Sequence, residues 1–381
     1  MNKKLSNGLS IPNMGFGTYQ MVGQECYESV IQAIKAGYRL IDTAEGYKNE
    51  KEVGCAIKKC IQEGIIKRED VYVVTKLNPH KKIGYEETIA LIKQSLEDLD
   101  IGYIDLFLIH WPNVTPDDRW KRLNAASWRA MEEFYEQGKI KSLGVSNFLE
   151  HHLDELYKTA KIKPVVTQLN LSPTWPQKRT VAFCREQGMQ LMAWSPRVRI
   201  EKWNEKTMTE VSQKYGKSCA QISIRWSIQK GFIPLVKSSH IERMKENLDV
   251  FNFEISDENM LRLDDLLCHP ANFDATPDSV YNAWKHYLLI ANMIHGKITK
   301  KYALFKLFGV LPIYKNKFYY NEKNELKKEK GYFLYCIPLL KKKYINQKRV
   351  KYYLFHFIYV GKCVVKMNPR HEINTLPIYD D

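Results

Sequence analysis

Apolar and polar positions along the chain alternate between two periods. Short runs with a strand-like pattern fall at Met14–Tyr19, Leu40–Ala44, Val71–Leu77, Ile104–His110, Ser142–Asn147, Val165–Asn170, Gln190–Pro196 and Gly231–Lys237. Between them lie stretches such as "YESVIQAIKAG", "NEKEVGCAIKKCIQEG" and "YEETIALIKQSLEDLD". There the apolar residues recur at i, i+3, i+4 and i+7, as Ile89, Ile92, Leu96 and Leu99 do, which predicts amphipathic helices. Ahead of the first strand, residues 3–12 predict a hairpin turning at Asn7-Gly8. Eight strands alternating with helices over some 250 residues predict an α/β fold, a (β/α)8 TIM barrel with an N-terminal β-hairpin. A doubly wound open sheet could alternate in the same way. It usually opens with a Gly-x-Gly-x-x-Gly turn into a helix, and "GFGTYQMVG" does not fit that register.

In such a barrel the chemistry belongs at the C-terminal ends of the strands. The predicted strands end in Asp42, in Thr75-Lys76, in His110, in Ser146-Asn147, in Gln168 and Asn170, in Trp194-Ser195 and in Lys237-Ser238. Singly each has a plain structural explanation: a rim lysine is commonly solvated, and an aspartate at a strand end can cap the next helix. Together they bring an acid, a lysine and a histidine to one mouth, with Tyr47 close by in sequence. A phenol has an ordinary pKa near 10 and donates a proton poorly at neutral pH. An adjacent ammonium is expected to lower it, so Lys76 would tune Tyr47, Asp42 would hold Lys76, and His110 would orient a substrate oxygen. Such a set suits carbonyl reduction, in which oxygen gains negative charge as hydride arrives.

"GYRLIDTAEGYKNEKEVG", "LFLIHWP", "GKIKSLGVSNF", "AWSP" and "IPLVKSSHIERMKENLDVFNFEIS" resemble the signatures of the aldo-keto reductase family. The resemblance covers about residues 5–267. It implies a TIM barrel that reduces aldehydes or ketones with NADP(H), and a catalytic tetrad of Asp42, Tyr47, Lys76 and His110. It also implies substrate contact by Tyr47, His110 and Trp111. For the cofactor it implies Ser146, Asn147 and Gln168 at the nicotinamide carboxamide, with Trp194 stacked on the ring beside Ser195. Lys237, Ser238, Arg243 and Asn247 would hold the adenosine end, and a lysine with an arginine suits a 2′-phosphate. The chain departs from the family pattern at Trp194, where tyrosine is usual. It departs again at Arg197 and Val236, and in a polar, shortened segment over residues 197–206.

Composition changes the picture beyond residue 274. The chain carries a net charge of +15. Residues 275–381 hold 20 Lys and Arg against 7 Asp and Glu, a balance of +13, together with 13 of the 23 tyrosines. Two domains are therefore expected: a barrel over 1–274, and a basic, Tyr/Lys-rich C-terminal extension over 275–381. Three phrases in the extension are variants of one another: "KYALFKLFGVLPIYKNK", "KGYFLYCIPLLKKK" and "VKYYLFHFIYVGKCVVK". They resemble basic aromatic repeats of bacterial surface-polysaccharide enzymes, which implies a bacterial protein. "NEKNELKKEK" (321–330) is expected to be a solvated linker. The extension could be a set of added strands, or residues 281–370 could make a peripheral contact with an anionic membrane through lysines and tyrosines. Nucleic acid is not an expected partner, since no recognisable binding module is present.

The eight cysteines show no Cys-x-x-Cys and no metal-ligand spacing, so no metal is expected. Neither a secretory h-region nor a spanning apolar run is present, and a cytoplasmic protein is expected, with the inner membrane face as its alternative address. A monomer acting on a small carbonyl substrate is the expectation. The competing possibility is a non-catalytic barrel serving as a binding or scaffold module at the membrane surface. Substrate choice is expected to lie in loops such as "WPNVTPDDRWKRLNAAS".

Overall fold

The computed structural model describes residues 2–78, 84–112, 118–196 and 205–266, and strand segments between 294 and 364. The chain divides into two compact units, Met1–Tyr281 and Asn282–Asp381.

In the first unit β1 (Asn2–Lys4) and β2 (Ser10–Pro12) form the antiparallel hairpin, with Lys4 paired to Ser10. Its turn uses Gly8 at φ +87°, a conformation that glycine adopts without Cβ strain. Eight parallel strands then close a barrel: β3 (Gly15–Gly17), β4 (Leu40–Asp42), β5 (Tyr72–Leu77), β6 (Leu106–Ile109), β7 (Leu143–Ser146), β8 (Val166–Asn170), β9 (Gln190–Trp194) and β10 (Ile233–Val236). They follow one another in sequence order around the wall, and β10 pairs with β3 to complete it. The predicted TIM barrel is present.

The helices between strands are α1 (Gly23–Ala36), α2 (Glu50–Gln62), α3 (Tyr85–Leu99), α4 (Arg119–Glu136), α5 (Glu150–Tyr157) and α6 (Lys178–Glu186). Two helices, α7 (Glu205–Tyr215) and α8 (Cys219–Gln229), join β9 to β10, and α9 (Ile241–Leu248) and α10 (Asp257–Asp264) follow β10. Arg119–Ser127, expected as the second half of a loop, is instead the start of α4. Trp120, Asn124, Ser127 and Trp128 lie on one face of that helix and are buried, so helical periodicity outweighs the polar composition of the stretch.

Two apolar layers result from the period-2 alternation of the strands. Leu40, Tyr72, Val74, Leu106, Leu108, Val166, Met192, Ile233 and Leu235 pack inside the barrel, with Leu5 and Ile11 of the hairpin. Ile41, Val73, Leu77, Phe107, Ile109, Val145 and Leu169 face outward into the layer shared with the helices. The helices pack close where the sequence allows it. A Cβ on Gly54 of α2 would lie 1.9 Å from the Leu99 carbonyl oxygen at the end of α3.

The second unit is antiparallel. β11 (Ile294–Thr299), β12 (Tyr302–Leu307) and β13 (Leu311–Pro312) form one sheet. β14 (Tyr314–Tyr320), β15 (Leu326–Leu334), β16 (Ile337–Asn346), β17 (Arg349–Leu354) and β18 (Ile358–Val364) form a five-stranded meander. The second and third repeated phrases each span one hairpin, β15–β16 and β17–β18. The expected linker over 321–330 is corrected in part. Residues 326–330 belong to β15, which pairs on both sides, and backbone pairing there overrides a charged local composition.

Candidate active site

The inward rows of the strands explain how the site is assembled. On β4 the row runs from Leu40 to Asp42, and on β5 from Tyr72 through Val74 to Lys76. On β6 it runs through Leu106 and Leu108, and the next inward position is His110. Each row is apolar through the barrel and becomes polar at the C-terminal rim. Gln168 and Asn170 on β8, and Trp194 on β9, complete the same rim. The parallel register sets Asp42 beside Val74, and Lys76 beside Leu108.

Lys76 is wholly buried. Its ammonium donates to Asp42 Oδ1 at 2.7 Å, to the Thr43 carbonyl at 2.7 Å and, at longer range, to Tyr47 Oη at 3.4 Å. Those three contacts match the three donors of an ammonium group. Asp42 receives a second hydrogen bond on Oδ2 from Gln168 Nε2 at 2.8 Å. Tyr47 reaches the cluster because a single 3₁₀ turn, Glu45–Tyr47, follows β4 and ends at Lys48 in the left-handed conformation. Its ring lies edge-on to His110 at 5.6 Å and tilted against Tyr19 at 5.0 Å. Asp42, Tyr47, Lys76 and His110, named from sequence, are therefore brought together.

The electrostatics correct one expectation. Burial pushes the Tyr47 phenol well above its ordinary range, and the Asp42 carboxylate and Tyr19 push the same way. The lysine was expected to lower it, but the direction is set by burial, which disfavours the phenolate. Tyr47 is thus a fully protonated phenol at neutral pH, a stored proton. Lys76 is pushed down by burial, while Asp42, and less strongly Glu50, oppose the loss of its charge.

A second group of predicted residues forms a connected set beside the tetrad. Ser146 Oγ donates to the Gln168 carbonyl, and Asn147 Nδ2 donates to the His110 carbonyl and to Ser146 Oγ. Trp194 Nε1 donates to Asn147 Oδ1 at 3.0 Å, a bond not legible in the sequence. Asn147 has φ +60° and Ser195 φ +52°, both in the left-handed region that non-glycine residues seldom occupy. Strain of this kind persists where neighbouring bonds over-determine it, as the three side-chain bonds of Asn147 and its backbone N–H bond to the Gln168 carbonyl do. Lys237 and Ser238 follow β10 directly, while Arg243 and Asn247 lie on α9, Arg243 exposed and Asn247 buried. Burial lowers the Lys237 pKa and Glu25 partly restores it. Trp111 follows His110 at the rim and is half-buried, and Ser195 is exposed. Arg197 and the segment 197–204 lie outside the described residues.

Several supporting residues escaped the sequence reasoning. Asn49, fully buried, accepts from Thr43 Oγ1 at 2.6 Å and donates to the Thr18 and Met21 carbonyls. It thereby fixes the loop that presents Thr43 to Lys76. Glu50 and Thr75 lie behind the tetrad; Thr75 was named only as the strand-end neighbour of Lys76, and Glu50 carried no signal of its own.

Comparison with known proteins places this site in a family. A profile of the Aldo/keto reductase family matches residues 13–198 and 201–267. The chain is similar to glyoxal reductase of Bacillus subtilis (strain 168), 43% identical over 264 residues that cover 69% of this chain and 91% of the relative. It is 39% identical to the 9,11-endoperoxide prostaglandin H2 reductase of Trypanosoma cruzi over 69% of this chain and 90% of that one. Among solved structures, the aldo-keto reductase of Bombyx mori in complex with NADP superposes with a TM-score of 0.63 at 32% identity, over 69% of this chain and 92% of that chain.

Proposed function

The chain belongs to the aldo/keto reductase family, and on that premise we propose that it reduces an aldehyde or ketone to the alcohol with NADPH, using Tyr47 as proton donor. One observation carries the assignment. A buried Asp42–Lys76 pair with a 2.7 Å hydrogen bond directs its remaining donor at a protonated phenol on the mouth of the barrel.

The rim residues fit the cofactor. Trp194 offers an indole face at the end of β9, and Ser146, Asn147 and Gln168 offer hydrogen-bonding atoms beside it. Asn147 Oδ1 keeps a second lone pair after accepting from Trp194, and Gln168 Oε1 keeps its acceptor capacity after its amide has donated to Asp42. Lys237 and Arg243 supply two cations for the 2′-phosphate, which favours NADPH over NADH. When bound, the cofactor supplies hydride to the carbonyl carbon.

The chain's own groups handle the oxygen. His110 and Tyr47 direct the carbonyl oxygen toward the phenol, and the Tyr47 proton passes to it as the C=O π bond breaks and negative charge develops. The phenolate left behind lies within reach of the Lys76 ammonium, whose attraction stabilises it more than it stabilises the neutral phenol. Lys76 therefore acts in the transition state, where such an interaction raises rate. The carboxylate of Asp42 keeps that ammonium charged within a wholly buried position.

We assign this activity to residues 1–274. For residues 275–381, the +13 of charge among tyrosines supports peripheral contact with an anionic surface. A panel of small aldehydes, ketones and keto-sugars, with glyoxal included, assayed with NADPH tests the reductase assignment. NADPH should also quench the fluorescence of Trp194. Absence of turnover on the whole panel, with no quenching, would overturn it.

A further inference from the structure

Behind the wall that carries Lys76 lies a second carboxyl with no place in the tetrad. Glu50 opens α2 and is only 4% exposed. Thr75 Oγ1 donates to its Oε1 at 2.5 Å, and Ser95 Oγ of α3 donates to its Oε2 at 3.2 Å. Thr75 is the residue before Lys76 on β5. Their side chains point to opposite faces of the strand, so Thr75 faces the helices while Lys76 faces the mouth. Glu50 therefore grips the outer face of the same strand residue pair that presents the ammonium inside.

Among the described residues Glu50 forms no ion pair. The charged groups around it are Glu45 from the turn before α2, Asp98 from α3 and Lys76 from β5, with Asp42 beyond Lys76. Burial, followed by Glu45 and Asp98, raises its pKa to about 7 against the pull of the two hydroxyl bonds. A glutamine could occupy the same space and bond to the same hydroxyls. A carboxyl there brings a desolvation penalty with no packing advantage, so its benefit must be electrostatic. The nearby charge that gains from it is Lys76, whose protonated form Glu50 favours in addition to Asp42.

We propose that Glu50 is a positioning residue for carbonyl reduction, a second carboxylate that acts through the Thr75–Lys76 strand segment to hold the Lys76 ammonium charged and in place. It rests on the role given to Lys76 above. As pH rises through neutrality Glu50 ionises, and the added negative charge delays deprotonation of Lys76 at higher pH. The device extends the alkaline range over which the lysine stays charged.

The test titrates protein labelled with 15N-lysine by NMR, as wild type and as Glu50→Gln, with the Lys76 signal assigned by its loss in Lys76→Met. In Glu50→Gln, Lys76 should titrate lower by about one pH unit, the scale of a nearby buried charge. The alkaline limb of kcat should move down by the same amount, with NADPH affinity and the carbonyl KM unchanged. The Tm at pH 8 should hold or rise, because a penalised charge has been removed. A Lys76 titration and kcat limb that both stay in place would overturn the proposal. So would a fall in rate that is equal at every pH and accompanied by a lower Tm, which marks a structural brace. If Glu50→Gln does not fold, the Lys76 signal of the wild type should show an inflection as Glu50 ionises near neutrality, and Thr75→Val, which removes one bond favouring the carboxylate, should move that inflection to higher pH; a Lys76 signal with no inflection near neutrality would overturn the proposal. If the wild-type protein reduces no carbonyl, the reductase assignment fails, and the Lys76 titration still decides whether Glu50 acts on it.

Discussion

Tyr47→Phe separates proton donation from every other function of the site. The substitution removes one oxygen and leaves the ring, its edge contact with His110 and the Lys76 ammonium 4.8 Å from the ring centre. Lys76 keeps its two short bonds, to Asp42 and to the Thr43 carbonyl, and loses only the 3.4 Å contact. A bond of that length lies at the weak end of the range, and the half-buried hydroxyl that disappears had part of its own desolvation penalty. Stability should therefore change by less than about 1 kcal/mol. The rate should behave differently. Loss of a positioned general acid costs about 10²–10⁴-fold, equivalent to roughly 3–5 kcal/mol in the barrier.

Three measurements on one preparation decide the matter: kcat for NADPH-dependent aldehyde reduction, NADPH affinity from tryptophan quenching, and the thermal midpoint. Lys76→Met provides the contrast. It leaves Asp42 buried with the Gln168 bond but without its cation, so about 3–5 kcal/mol of stability should be lost along with the rate. Tyr47→Phe should lose rate alone. Should it keep more than a tenth of the wild-type kcat, Tyr47 is not the proton donor. A large fall in Tm instead would show that the phenol holds the cluster together.

Replacing Lys237 and Arg243 together with alanine should weaken NADPH far more than NADH, measured by fluorescence titration, and equal losses would mean that they do not read the 2′-phosphate. Gly54→Ala sets a Cβ against the Leu99 backbone and should destabilise the first unit by about 2–3 kcal/mol, seen as a lower denaturant midpoint. Full-length protein should sediment with anionic vesicles and release them as salt shortens electrostatic reach to about 8 Å, whereas a chain ending at Asp274 should reduce aldehydes and ignore the vesicles. Vesicle binding by the shortened chain, or none by the full chain at low salt, would exclude the basic extension as the contact.

What was legible in the sequence is what period and position encode. Leu40 and Asp42, or Val74 and Lys76, are two residues apart, so a reader who places the strand also places the polar residue at its rim. Tyr47 was legible because it lies five residues beyond a strand end. Properties that depend on distant elements were not. Glu50 looks like one more polar residue at a helix start. Its burial is created by Thr75 on β5 and Ser95 on α3, 25 and 45 residues away. The direction of the Tyr47 shift failed for the same reason: the lysine was visible in the sequence, and the enclosure that opposes it was not. Residues 326–330 show the converse, a polar run recruited into a strand by pairing with β14 along its length and with β16 from Glu329 onward.

These limits bear on how the site works. A wholly buried lysine is tolerable only if its surroundings are negative and every donor is engaged. Asp42, the Thr43 carbonyl and Tyr47 meet the second condition, and they do so because Asn49 pins Thr43 to the loop after β3. Asp42 meets the first from inside the barrel, and Glu50 adds to it from the outer face of the strand as it ionises. The four residues recognisable as a tetrad thus depend on a ring of supports from β3, α2, β5 and α3. The barrel wall is their common scaffold: the period-2 alternation that brings Lys76 to the mouth also turns Thr75 toward Glu50. A change that shifted the β5 register by one residue would exchange these two faces, and would remove the ammonium and its outer support together.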